Sequence, residues 1–128
     1  MLREPARTTS HRFAWLIESL IERADCERKL MFGCEAVYVR GRLVLALAAK
    51  SEPWNGVLVP TEREHHASLC REFPFLVPHA ILPKWLYLSA ANDRFEFLAQ
   101  EIITAIEDGD RRFGVVSNSR SRQTSTNR

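Results

Sequence analysis

The sequence predicts an α+β domain, a mainly antiparallel sheet of four or five strands with three helices packed on it. Three observations carry this reading. Apolar residues recur at spacings of three and four over 11–29, 62–72 and 93–108, the period of a helical face. β-prone runs occupy 31–39, 42–48, 56–59 and 85–88. The strands come in groups with helices between the groups, which argues against an alternating, parallel α/β arrangement.

The first helix follows from Phe13, Leu16, Ile17, Leu20, Ile21 and Ala24 on one stripe, with Ser10 placed to cap it. Two β-prone runs then flank Arg40-Gly41, which reads as a hairpin with Gly41 supplying a positive φ. Gly33 inside the first run predicts a bulge or a close backbone approach. The run 42–48 is apolar at nearly every position, so it is expected to be covered on both faces.

Pro60 stops the next strand, and Thr61-Glu62-Arg63-Glu64 reads as a capping box opening the second helix. Leu69 and Phe73 face the core in that helix. Pro74, Pro78 and Pro83 leave a ragged edge strand before Trp85-Leu86-Tyr87-Leu88. Asn92 or Asp93 caps the last helix, Gly109 ends it, and Phe113, Val115 and Val116 fold back on the domain.

The chain has 128 residues, 45% hydrophobic and 27% charged, and so fits one domain able to bury a core. A flexible 1–9, a single domain over 10–116 and a disordered basic tail over 117–128 are expected. The formal charge of +2 hides an asymmetry. Arg111 to Arg128 hold five arginines and no acid, leaving 13 basic and 16 acidic residues over 1–110, a formal −3. A tail of Ser, Thr, Asn and Arg has nothing to bury. No apolar run reaches the roughly 18 residues of a membrane helix, so no membrane partner is expected. The charged N-terminus is followed by no apolar h-region, so it is not expected to act as a secretory signal. Three cysteines, at 26, 34 and 70, show no CxxC spacing, which points to a reducing cytoplasm.

The segment around Met31-Phe32-Gly33, Val37-Tyr38 and Gly41 resembles the hairpin motif of the N-terminal domain of TfoX-type proteins. Cys34 stands where that family often has a second glycine. The later Trp85-Leu86-Tyr87-Leu88 strand and terminal helix are similar both to that family and to the related YjbR/MmcQ-like proteins. The resemblance implies a small α+β regulatory domain working through transcription machinery or, through the YjbR-like relatives, a DNA-binding one. It brings no catalytic residue and no cofactor. The residues assemble no metal-ligand set, nucleophile–base–orienter set or phosphate loop, so a non-enzymatic domain acting through protein contacts is expected.

Several constellations bear on chemistry. Arg40 and Arg42 flank the hairpin turn and could grip phosphates, with the basic tail, in weak and non-specific nucleic-acid binding. Trp54, in a Pro-Trp-Asn loop, is the tryptophan expected to be partly exposed and able to anchor a protein partner, whereas Trp85 is expected in the core. Cys34, or the His65/His66 pair, would be the residues of a small enzyme. His66 and Cys70 are four apart, but a zinc site needs three or four ligands and His79, Cys34 and Glu62 are scattered, so no metal is expected. Five glycines leave no phosphate-binding loop.

Overall fold

The computed structural model describes residues 13–31 and 33–116, so Phe32, the N-terminal 1–9, Ser10 and the tail 117–128 lie outside the described residues. A 3-10 turn, Ala14–Ile17, leads into the short helix α1, Glu18–Ile21. Then come β1 (Cys26–Met31), β2 (Cys34–Val39), β3 (Arg42–Ala49) and β4 (Asn55–Val59). A second 3-10 turn, Arg63–His65, runs into α2 (His66–Glu72). The two-residue β5 (Val77–Pro78), β6 (Leu86–Ser89), α3 (Phe95–Glu107) and β7 (Val115–Val116) complete the order. The described strands form one antiparallel sheet of order β1-β2-β3-β4-β6-β5, with β7 paired to β3. The fold is α+β as expected, with seven strands where four or five were anticipated.

The largest departure is at 11–29. The helix stops at Ile21, and Cys26–Met31 is a strand paired along its whole length with β2. Glu27, Arg28, Lys29 and Leu30 are good helix formers, but six ladder partners outweigh a propensity of a few tenths of a kcal/mol per residue. Gly33, at φ +75°, is therefore no bulge inside a strand. It lies in the turn that joins Met31 to its partner Cys34.

The next turn matches expectation. Gly41 has φ +79° and Arg40 also has a positive φ, +55°, between the paired residues Val39 and Arg42. Two left-handed residues in a two-residue loop suit the right-handed twist of a hairpin. Arg40 bears this at a cost of about 1–2 kcal/mol. It is held by Asp25, whose carbonyl accepts the Arg40 amide at 2.8 Å and whose carboxylate accepts its Nε at 3.1 Å.

Both helix starts differ from expectation. Thr61 makes no capping box: its hydroxyl donates to the Arg112 carbonyl at 2.6 Å, and the helical turn begins without a side-chain cap. Ahead of α3, the Asn92 side chain accepts the Arg94 amide in a local turn, and Arg94 is the residue at the cap position. The α3 terminus agrees with expectation. Gly109, at φ +85°, donates to Ile106 and Asp110 donates to Ala105, the paired bonds that close a helix end.

The sheet is covered on both faces. Leu45, Leu47, Val57, Val59, Leu86 and Leu88 meet Leu16, Ile17, Leu20, Leu69, Phe73 and the stripe Phe95, Leu98, Ile102, Ile103 and Ile106. The opposite face carries small side chains, Cys34, Ala46 and Ala48, with Leu58 and Tyr87, beneath Trp54, Leu82 and Trp85. This explains the unbroken apolar run of β3. Trp85 is half-buried over that second face rather than deep in the main core. The β2–β3 register slips between Val37/Tyr38, leaving Val44 as an extra residue beside Leu45 in the main core.

Candidate contact surface at the hairpin tip

The β2–β3 tip, the end of α3 and the segment after α1 converge on a cleft of about 500 Å³. Arg23, Arg40, Arg42 and Arg111 line it, together with Glu107, Asp108 and Asp110. The two arginines singled out in the sequence are thus brought together with two more. Arg23 and Arg111 were not singled out. With 11–29 taken as one helix, Arg23 falls on a solvated polar face. Arg111 reads as the start of a tail.

The four guanidiniums have different tasks. Arg23 grips Asp25 with two hydrogen bonds, at 2.8 and 2.9 Å. Those bonds, aided by Arg40, hold the Asp25 carboxyl well below the usual carboxylate range against its partial desolvation. Arg42 turns inward. Its Nη2 donates to the carbonyls of Gly114 at 2.9 Å, Phe113 at 3.1 Å and, more weakly, Arg111 at 3.4 Å. Arg42 thus ties the C-terminal segment to β3, and β7 extends the tie by pairing Val116 with Arg42. Arg40, its side chain 74% exposed, and Arg111, also exposed, offer themselves outward. The cleft is not basic on balance. Its four arginines face three acids, Asp25 lies beside them, and the carbonyl end of α3 adds negative character.

Behind the cleft, Arg112 fixes the same segment from the other side. It bonds Asp110 twice, Glu72 at 2.6 Å and Ser68 at 3.1 Å, and its guanidinium stands 5.9 Å over the Phe73 ring. Arg112 holds the Asp110 carboxyl below its ordinary value, against burial. A carboxylate whose folded pKa is lowered adds stability above its unfolded pKa, about 3.9, and loses it as pH falls through the folded value. Asp110→Asn is therefore expected to cost about 1–2 kcal/mol at pH 7. In urea melts that difference should shrink as the pH falls below about 4. A difference that is the same at pH 7 and pH 3 would contradict the assignment.

The remaining candidates lie elsewhere. Trp54 is half-buried, and so partly exposed as its loop suggested, with its ring 4.5 Å from that of His79. Cys34 is 1% exposed, and burial pushes its thiol up, the direction opposite to that of an activated nucleophile. His66 Nε2 bonds the Lys84 carbonyl at 2.8 Å, and His65 approaches Glu64 at 3.6 Å. Cys70 donates to the Leu76 carbonyl. Among the described residues no three His, Cys, Asp or Glu side chains group as metal ligands. No described helix is long and apolar enough to cross a membrane.

Comparison with protein-family models, with curated proteins and with solved structures finds no match.

Proposed function

We propose that this chain is a non-enzymatic regulatory or binding domain that works by contact with a protein partner. The likeness of Met31-Phe32-Gly33 and Gly41 to the TfoX-type hairpin suggests that the contact serves transcription-related regulation. One observation carries the contact reading: the exposed Arg40 and Arg111 sit on a cleft whose walls bear both signs of charge. Side chains of a protein can match an alternating pattern, whereas a phosphate backbone would meet Glu107, Asp108 and the carbonyl end of α3. The three cysteines, each a free thiol, suit a cytoplasmic setting.

A second reading, weak nucleic-acid binding, draws on a different observation. Val116, the last described residue, pairs with Arg42 at the hairpin, and the sequence after it carries arginines at 120, 122 and 128. The third reading, an enzyme using Cys34 or His65/His66, has the least support, because Cys34 is buried and both histidines have local partners.

Arg42 is a poor probe because its loss unties the C-terminal segment, so the test pairs Arg40→Glu with Arg111→Glu. Partners captured from the native host by the parent should be lost from this double variant, which gives up the Arg40–Asp25 pair but should keep the far-UV circular dichroism of the folded domain. DNA binding at about 50 mM salt that weakens steeply with added salt, alike on every sequence, would favour the nucleic-acid reading instead. Capture that the double variant leaves intact would remove the cleft from the contact.

A further inference from the structure

β1 ends the sheet, so among the described residues its outer edge has no strand partner. The Asp25 carbonyl points toward β2, where it accepts the Arg40 amide. Alternation along an antiparallel strand then turns the backbone amides and carbonyls of Arg28 and Leu30 outward. The same alternation places Cys26, Arg28 and Leu30 on one face and Glu27, Lys29 and Met31 on the other. Leu30, at 83% exposure, is the most exposed large apolar side chain described.

We propose that this edge pairs with the same edge of a second copy of the chain, antiparallel across a two-fold axis at Arg28. The inference is independent of the arginine cleft and goes beyond the contact reading above.

Charge selects the register. Centring the axis on Glu27 would oppose two glutamates, and centring it on Lys29 would oppose two lysines. Centring it on Arg28 opposes Glu27 to Lys29 of the second copy, twice, in the positions where side chains stand closest. The same register sets Cys26 against Leu30, covering the exposed leucine with an apolar neighbour. Arg28 then faces its own counterpart in the wider, hydrogen-bonded position, with its charge offset by Glu35, 3.3 Å away. The outward amide and carbonyl of Arg28 find partners, the Leu30 amide meets the Cys26 carbonyl while the Cys26 amide stays with Arg23, and the pairing joins two sheets into one.

Sedimentation equilibrium of the full chain from about 1 to about 100 µM should show a dimer. Glu27→Lys and Lys29→Glu should each weaken it about tenfold, because each turns two attractive pairs into repulsive ones. An equimolar mixture of the two variants should regain dimerisation, because lysines of one then face glutamates of the other. That recovery also separates a lost interface from a damaged fold. A chain that stays monomeric throughout, a dimer indifferent to both substitutions, or a mixture no better than either variant alone would each overturn the proposal.

Discussion

Gly56→Ala should remove a large share of the domain's stability. Gly56 sits in β4, between Ala48 of β3 and Ser89 of β6, with φ +152°. A Cβ there would lie 2.1 Å from the Leu88 carbonyl oxygen and 2.9 Å from the Ala90 nitrogen. Both are backbone atoms, so no side-chain rotation relieves the overlap. Ladder bonds on both sides stop β4 from backing away. The clash adds to the strain of a left-handed φ, and the sum should exceed about 4 kcal/mol. Against a total stability of about 5–15 kcal/mol, that is a large share, or a fall in melting temperature of roughly 15 °C or more. Gly109→Ala is the control: its φ is +85°, but no atom lies within 4 Å of the added Cβ. It should cost only about 1–2 kcal/mol. Equal losses for the two variants would show that the close approach at Gly56 is not what constrains it.

His79→Leu should cost about 3 kcal/mol, for a different reason. His79 is 1% exposed beneath the Pro53–Trp54 loop. Its Nδ1 accepts the amides of Ile81 at 3.1 Å and Leu82 at 3.0 Å, and Nε2 lies 2.7 Å from the Pro53 carbonyl. These partners fix the tautomer: Nδ1 is bare and Nε2 carries the proton that Pro53 accepts. Leucine fills the space but leaves two donors and one acceptor without partners, at about 1–3 kcal/mol for each that water cannot reach. His79→Asn should recover part of the loss, because its side-chain oxygen can accept an amide two residues on. Urea melts of the three proteins give the comparison. A leucine variant as stable as the parent would mean that this network holds nothing together.

His79 also marks how far the sequence could be read. It is one histidine between two prolines, and nothing in its neighbours announces the carbonyl it meets 26 residues earlier. What was legible rested on local physics. The stripe of α3, the glycine that ends it and the left-handed Gly41 all depend on residues within a turn or two. The apolar run of β3 announced its two covered faces because burial on both sides leaves no polar position. What was missed rested on partners far along the chain. Cys26–Met31 became a strand because β2 was there to pair with it. Thr61 gave up the cap of its own helix for a carbonyl 51 residues later. The arginine cleft was half visible. Arg40 and Arg42 sit at a recognisable turn, but Arg23 and Arg111 join them only through the return of the chain after α3.

The tie between Arg42 and the carbonyls of Phe113 and Gly114 also sets an order of events during synthesis. The β2–β3 hairpin is local and can form as soon as its own residues are free. The carbonyls that Arg42 holds are made 71 and 72 residues later. Pro60 faces the same wait, because its carbonyl receives the Gly114 amide. Until that last segment emerges, β3 keeps an open flank beyond the end of β4, and Phe113 is missing from the core. The arrival of residues 113–116, rather than the pairing of the early strands, is therefore the step that closes this sheet.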